Sequence, residues 1–147
     1  MANNDITPVV WDQLLFEARR VAELSYSPYS NFKVGAAGLL QDGRVVSGTN
    51  VENGSYGVTL CAECSMTSAN ISGGRSLFVA IVIVGKGTMP IGGEVEASTE
   101  DELAPIIGPC GRCRQVMAEQ SDENTVLLSN SGPRKLIGDV LPYYRDF

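Results

Sequence analysis

The residues best suited to do chemistry are four cysteines, which stand in the chain as two C-x-x-C pairs, Cys61 with Cys64 and Cys110 with Cys113. Each pair lies at the start of a predicted helix, where the helix N-terminus stabilises a thiolate and so favours metal ligation. The sequence contains no histidine. A transition-metal site here must therefore be built from thiolates, with at most a carboxylate added, and thiolate-rich ligation indicates zinc.

Two other uses of these cysteines compete with a catalytic zinc site. All four could close a structural tetrahedral site, but the 45 residues between the pairs exceed the roughly 15 to 20 that are usual for such sites. One pair could instead be a redox dithiol, although the usual context is a thioredoxin-like unit with a single motif. Spacing alone favours a metal site and leaves its structural and catalytic uses open.

Glu63 lies between two of the candidate ligands, in the run Cys61-Ala62-Glu63-Cys64. Residues two apart on a regular helix do not share a face, so Cys61 must lie at the leading edge of the helix if its sulfur and the Glu63 carboxylate are to converge. A carboxylate beside zinc that is not itself a ligand suits general acid/base work on water. A catalytic zinc keeps one open position beside three protein ligands, so one of the four cysteines should be spare.

The elements that must position these residues follow from breakers and periodicity. Thr7 before Pro8 predicts a helix start, and an amphipathic pattern continues it, ending before Ser27-Pro28. Asp42-Gly43 between two apolar runs predicts a hairpin. Further along the chain the sequence predicts helices over 60–72 and 110–120, strands over 77–84 and 125–130, and a long acidic surface loop from Gly85 to Gly108. This order predicts an α/β fold with three α-β-α layers, in which helices flank a mixed central sheet.

Length and charge limit the function classes. A chain of 147 residues is expected to form one domain, here 1–147, and a net charge of -6 makes a nucleic-acid polymer a poor partner. The longest apolar run has eight residues, against roughly 20 for a membrane span, and the first residues carry no secretory signal. We therefore expect a cytoplasmic protein with reduced thiols and a small-molecule partner, and no membrane or polymer.

The motifs resemble those of the zinc nucleobase deaminases, in which H-x-E is followed by P-C-x-x-C and zinc is held by His/Cys/Cys or by three cysteines. Here Cys61-Ala62-Glu63 and Pro109-Cys110-Gly111-Arg112-Cys113 take these places. The chain is similar over residues 10–142 to the small homotetrameric cytidine deaminases that act on free nucleosides. The resemblance rests on blocks in family order: YSPYSNFKVGA (26–36), NVENGSY (50–56), CAE, PCGRCRQVM (109–117) and a final Val140-Leu141-Pro142.

The resemblance implies a role for each matching residue. One zinc per chain would be held by Cys61, Cys110 and Cys113, and Glu63 would shuttle protons between a zinc-activated water, ring nitrogen 3 of cytosine and the departing amine. Asn50 and Glu52 would bind the ribose 3′-hydroxyl, and Phe32 would stack on the base. The remaining substrate contacts would come from Gly54, Tyr56 and Ala62.

Three features depart from the family pattern. Cys64 stands where many members carry an arginine that offsets the thiolate charge, so Arg112 or Arg114 would have to supply the compensation. The aromatic that follows LLP in the family, and that stacks on the base in a neighbouring subunit, has three candidates here: Tyr143, Tyr144 and Phe147. The Gly85 to Gly108 loop is longer than is usual.

The expected function is zinc-dependent deamination of cytidine and deoxycytidine to the uridine nucleosides, within pyrimidine salvage. The resemblance also implies a homotetramer with sites at subunit interfaces. The alternative with the same chemistry is a deaminase of a cytosine-containing antibiotic nucleoside of the blasticidin S type, which shares CAE and PCGRCRQ. The alternative from another class is a non-enzymatic four-cysteine zinc module that binds a protein, which would leave Glu63 without a role.

Overall fold

A five-stranded mixed sheet forms the centre of the protein, as seen in a computed structural model that describes residues 6–87, 103–128 and 135–141. The strands are β1 (Lys33–Leu40), β2 (Val45–Thr49), β3 (Phe78–Lys86), β4 (Ser121–Leu127) and β5 (Lys135–Leu136), in the spatial order β2-β1-β3-β4-β5. β1 runs antiparallel to β2 and to β3, β3 is parallel to β4, and β4 is antiparallel to β5. The mixed sheet predicted from the sequence is confirmed.

Four helices accompany the sheet: α1 (Pro8–Ala22), α2 (Ala62–Ser72), α3 (Gly111–Ala118) and α4 (Ile137–Val140), with one turn of 3-10 helix at Tyr56–Val58. Thr7 caps α1 as the sequence predicts, since its side chain accepts the Val10 N–H at 3.4 Å and Pro8 fills the first turn. No helix in the described parts of the chain has the length and apolar character needed to cross a bilayer.

The apolar side chains of the sheet form one core on each face, which gives the three predicted layers. On one face Trp11, Leu14 and Ala18 of α1 pack against a buried group that includes Val82 and Val84. On the other face the helices α2, α3 and α4 cover the second group, which comprises Ala36, Leu40, Met66, Phe78, Ile81, Ile83, Met117, Leu127 and Ile137. The strand β3 is buried on both faces because it contributes alternate residues to both cores.

Two contacts fix α2 against the hairpin of β1 and β2. Gly48 of β2 approaches the backbone of α2 so closely that a β-carbon there would overlap the Met66 nitrogen. At the far end of the helix, Arg44 donates to the carbonyl oxygens of Gly73 (2.8 Å) and Gly74 (2.9 Å). A cation at the C-terminal carbonyls also opposes the negative end of the helix dipole. The hairpin therefore determines both the distance and the tilt of α2.

The structure corrects three sequence expectations. The predicted loop from Gly85 to Gly108 is too long at both ends, because β3 continues to Lys86 and Pro105 to Ile107 pair with it (Gly85 N to Pro105 O, 3.0 Å; Ile107 N to Ile83 O, 2.9 Å). Residues 88–102 lie outside the described residues. The last strand begins at Ser121 and not at 125, since its polar first half carries no apolar signal. The short β5 and α4 were not predicted because two and four residues are too few to show a periodicity.

Candidate metal centre and substrate site

Three of the four cysteines come together between the N-termini of α2 and α3. The sulfur atoms of Cys61, Cys110 and Cys113 lie within 4.8 Å of one another, and the pair Cys61–Cys110 is separated by 3.9 Å. Two ligands of a tetrahedral zinc with Zn–S bonds of about 2.3 Å lie about 3.8 Å apart. The donor set and its spacing therefore fit a zinc ion held by three sulfurs.

Cys61 and Cys110 occupy equivalent positions on their helices. Each is the N-cap residue, with extended backbone angles (φ -70°, ψ 155° and φ -67°, ψ 166°), and neither side chain caps its own helix by a hydrogen bond. Both sulfurs are thus free to face the cluster while the first-turn N–H groups of both helices favour negative charge there. The sequence inference that Cys61 lies at the leading edge of its helix agrees with this geometry.

The thiols of Cys61 and Cys113 differ in pKa. A hydrogen bond from Cys113 lowers the pKa of Cys61 to about 5, and further hydrogen bonds from Cys110 and Arg112 act in the same direction while burial opposes them. The same contact raises the pKa of Cys113, and burial adds to that effect. A metal that binds three thiolates must displace the proton that the pair shares, so metal uptake releases protons.

Glu63 follows Cys61 by two residues and is the second residue of α2. Only 4% of its surface is exposed. Burial raises the pKa of this carboxyl group, and the nearby Cys61 thiolate acts in the same direction, while contacts with Cys113 and Arg112 partly oppose the rise. A buried carboxyl group beside three sulfurs, with an elevated pKa, holds a proton more readily than a surface carboxylate, which suits a group that takes up and gives away protons.

The two candidate arginines have different partners. Arg112 donates to the carbonyl oxygen of Thr59 at 3.1 Å and lies 3.8 Å from the Cys61 sulfur, so its positive charge faces the cluster. Arg114 donates to the carbonyl oxygens of Pro109 (3.2 Å) and Val140 (3.3 Å), and so connects α3 to α4. Of the two, Arg112 is the one that the structure brings to a sulfur.

Cys64 is not a member of the cluster. Its side chain is half-buried and packs against the core on the α2 side of the sheet, whereas the group of sulfurs that could share an ion comprises the other three cysteines. A site closed by all four cysteines does not fit this arrangement.

Asn50 has structural partners that the sequence did not reveal. Its side-chain oxygen accepts the Val34 N–H at 2.9 Å and the Ser25 hydroxyl, and its nitrogen donates to the Phe32 carbonyl at 2.8 Å. The amide has two N–H bonds, so one remains for a substrate oxygen. Asn50 therefore holds the backbone on both sides of Lys33 in addition to any contact with a sugar.

Glu52 is nearly buried and is bound by the turn that precedes β1. Ser30 donates its N–H to one carboxylate oxygen at 3.2 Å and its hydroxyl to the other. Phe32 is buried, and its ring lies so close to Gly85 that a β-carbon there would overlap it. Sequence reasoning selected Glu52 and Phe32 but missed Ser30, whose signal was only its place in the block YSPYSNFKVGA.

The other three sequence-selected residues lie in the segment that leads into α2 and at its first position. Ala62 is fully buried at the first position of α2, between Cys61 and Glu63. Gly54 and Tyr56 lie in the loop before α2, where the Tyr56 ring meets the Tyr29 ring edge to face at a centroid distance of 6.3 Å. This aromatic contact joins the 50–56 block to the 26–32 turn, so both blocks border one surface.

Comparison with known proteins agrees with the geometry. Residues 10–129 match the family model described as the cytidine and deoxycytidylate deaminase zinc-binding region. The chain is 43% identical over 136 residues to a cytidine deaminase of Mycobacterium tuberculosis, covering 91% of this chain and 88% of that protein. It is 42% identical over 128 residues to a cytidine deaminase of Halalkalibacterium halodurans, covering 86% and 81%.

A solved structure and a more distant relative extend the comparison. The crystal structure of cytidine deaminase from Mycobacterium tuberculosis superimposes with a TM-score of 0.74 at 38% identity, covering 90% of this chain and 94% of that one. A blasticidin-S deaminase of Bacillus cereus is 30% identical over 111 residues, covering 74% of each protein. This relative is less similar to the chain than the two cytidine deaminases of Mycobacterium tuberculosis and Halalkalibacterium halodurans.

Proposed function

The chain belongs to the cytidine and deoxycytidylate deaminase zinc-binding family, and we propose that it catalyses the hydrolytic deamination of cytidine and deoxycytidine to uridine and deoxyuridine, with release of ammonia. The observation that carries the proposal is the Glu63 carboxyl group, buried beside three cysteine sulfurs that fit one zinc ion. One zinc per chain, held by Cys61, Cys110 and Cys113, would lower the pKa of a bound water toward 7.

Glu63 is the catalytic acid and base of the proposal. Its carboxylate takes one proton from the attacking water and delivers it to ring nitrogen 3. It then takes the second proton from the hydroxyl now attached to ring carbon 4 and passes it to the amine, which departs as ammonia while the carbonyl forms. Each transfer needs a group that is neither permanently charged nor permanently neutral, and the raised pKa of Glu63 supports that use. Burial also keeps bulk water from competing for the proton.

Binding of the nucleoside involves both blocks that border the cluster. Glu52 accepts the ribose 3′-hydroxyl, Asn50 donates its remaining N–H to a sugar oxygen, and Phe32 offers an aromatic surface to the base. Gly54, Tyr56 and Ala62 complete the contacts through the segment that leads into α2. A charged acceptor for a hydroxyl group forms a stronger hydrogen bond than a neutral one, which suits a carboxylate in this position.

Arg112 offsets part of the negative charge of three thiolates. The proposal is supported by its 3.8 Å approach to the Cys61 sulfur and by its bond to the Thr59 carbonyl, which fixes the guanidinium in place. In this chain the compensating charge comes from α3, since Cys64 occupies the position on α2 where many family members have arginine. Arg114 acts through α3 and α4 and has no direct part in the chemistry.

Residues 1–147 form a single catalytic domain in this proposal, and the protein works in the cytoplasm in pyrimidine salvage. The single domain is supported by the two cores, which share one sheet. The cytoplasm is supported by the three thiolate ligands, which need a reducing compartment. The partner is a free nucleoside; a nucleic-acid polymer or a membrane is not expected, because the chain carries a net charge of -6.

The proposed assembly is a homotetramer with its sites at subunit interfaces. Apolar side chains just before Cys61 are strongly exposed, with 78% of Tyr56 and 58% of Val58 accessible, and such a patch beside a site is typical of an interface.

We expect a sedimentation mass four times that of the 15.7 kDa chain. Val58→Asp should dissociate the assembly, whereas Phe16→Asp, on the exposed side of α1, should not; equal sedimentation of both variants would contradict this interface.

The substrate range tests the proposed function directly. We expect loss of cytidine absorbance with stoichiometric ammonia release, comparable rates for deoxycytidine, and catalytic efficiency for free cytosine lower by about ten- to a hundredfold, since a hydrogen bond to a charged group is lost. Cytidine monophosphate should also be poor, because the site residues include no phosphate cradle. In Glu52→Gln the ratio of cytidine to cytosine efficiency should fall toward one.

Glu23→Gln is the matched control, because its carboxylate pairs with Lys33 at the surface. It should leave every ratio unchanged. Blasticidin S belongs in the same assay: higher efficiency for it than for cytidine would replace the proposal by the antibiotic-type alternative. Absence of turnover for all of these substrates, in protein with one zinc per chain, would overturn the deaminase function itself.

A further inference from the structure

The turn over residues 26–32 is tied to Glu52 through three hydrogen bonds. The Glu52 N–H donates to the Tyr26 carbonyl at 2.8 Å, which holds the start of the turn. Near its end, Ser30 donates its N–H at 3.2 Å and its hydroxyl to the two oxygens of the carboxylate. A single serine thus supplies one donor to each carboxylate oxygen and leaves the other lone pairs open to substrate.

The direction of the Ser30 hydroxyl is fixed by a second bond. Its oxygen accepts the Phe32 N–H at 3.0 Å, so its one proton remains for the Glu52 carboxylate. The Phe32 carbonyl is held as well, by the Asn50 amide. Ser30 therefore connects the carboxylate expected to bind the sugar with the backbone of the residue expected to contact the base.

The backbone between these two residues adopts an unusual conformation. Asn31 has φ 56°, in the left-handed region that few non-glycine residues occupy, and its N–H bonds to the Ser27 carbonyl at 2.9 Å. Strain of this kind persists where the surrounding structure enforces it, and it concentrates at functional sites. Here the conformation of Asn31 sets the relative orientation of its two neighbours, Ser30 and Phe32.

We propose that Ser30 is a positioning residue for recognition of the sugar 3′-hydroxyl, acting through Glu52. The inference rests on the proposed function, because Glu52 must be the acceptor of that hydroxyl. Without the serine hydroxyl, one carboxylate oxygen loses the hydrogen-bond donor that the described part of the chain gives it, and the group can rotate away from the sugar. The loss should therefore be selective for nucleosides that carry a 3′-hydroxyl.

The test compares catalytic efficiency for cytidine and for 3′-deoxycytidine. We expect Ser30→Ala to lower the ratio of the two by about tenfold, as loss of a charge-assisted hydrogen bond implies, through a higher KM for cytidine. Ser30→Thr keeps a hydroxyl and should stay within about threefold of the wild-type ratio. Ser27→Ala, in the same turn, is the control and should leave the ratio unchanged.

A double-mutant cycle identifies the route of the effect. If Ser30 acts through Glu52, Ser30→Ala should change the ratio no further in a Glu52→Gln background. An equal loss for both nucleosides in Ser30→Ala, or an additive loss in the double mutant, would overturn the proposal and leave Ser30 a structural residue. If Ser30→Ala does not fold, Ser30→Cys, which keeps the size but donates weakly, replaces it in the cycle.

Turnover of cytidine and 3′-deoxycytidine by the wild-type protein distinguishes a failure of this proposal from a failure of the deaminase function on which it rests. Turnover of cytidine without discrimination against 3′-deoxycytidine would overturn the role of Ser30 and leave the deaminase function intact. Absence of cytidine turnover would overturn both.

Discussion

Glu63→Gln is expected to lower kcat for cytidine by about 10⁴-fold while zinc stays bound. General acid/base catalysis contributes about 10²- to 10⁴-fold, and one residue that serves several successive proton transfers belongs at the upper end. Glutamine keeps the size of the side chain and fits the same buried place on α2. The measurement is a progress curve of cytidine absorbance together with zinc content by atomic absorption on the same sample.

The control for this substitution is Glu119→Gln, because Glu119 is a glutamate outside the site, at the end of α3, where it accepts a hydrogen bond from Gln115 at 3.2 Å. Its kcat should equal that of the wild type. If Glu63→Gln retains activity within tenfold of the wild type with full zinc, Glu63 is not the proton shuttle and the mechanism must be reassigned.

Cys110→Ser is expected to remove zinc and, with it, turnover. A serine oxygen is a far weaker zinc ligand than a thiolate, and replacing a ligand should cost more than the roughly ten- to a hundredfold in affinity that outer-shell changes cost. Cys64→Ser should keep both metal and activity, because its sulfur lies outside the cluster of three. Zinc content after dialysis against a chelator, followed by the cytidine assay, measures both outcomes.

The pair of cysteine variants also distinguishes the two zinc-based hypotheses. Equal loss of zinc from Cys64→Ser and Cys110→Ser would favour a closed four-thiolate site and exclude an open position for water. Thermal unfolding of each variant guards against a general loss of structure, since Cys64 packs against the core and a serine there buries a hydroxyl group.

The metal cluster could be inferred from the sequence because its signals are local. The sequence predicts helices over 60–72 and 110–120, so each cysteine pair lies at a helix start, and the helical repeat requires Cys61 to lie at the edge if Glu63 is to reach the same point. Both cysteines are N-caps in the structure. Spacing alone could not show which of the four cysteines is not a ligand, because the two C-x-x-C pairs have the same spacing and any of the four could be the one left out.

Contacts between residues that are far apart in the chain could not be predicted from the sequence. The bond between Ser30 and Glu52 spans 22 residues, and the contact of Arg112 with Cys61 spans 51. Nothing in the local pattern distinguishes Arg112 from Arg114, yet the first faces the sulfurs and the second holds α4. The same limit explains the pairing of Ile107 with β3, since three residues at the end of an acidic, glycine-containing stretch show no strand pattern.

Arg44 binds the carbonyl oxygens of Gly73 and Gly74 directly after α2, and Gly48 packs closely against the backbone of the helix, so α2 is held by contacts that do not involve the three sulfurs. The helix that carries Cys61 and Glu63 is therefore stabilised by packing and hydrogen bonds away from these two residues. Stability and chemistry then depend on different residues of the same helix, so removal of the metal should end turnover and leave α2 folded.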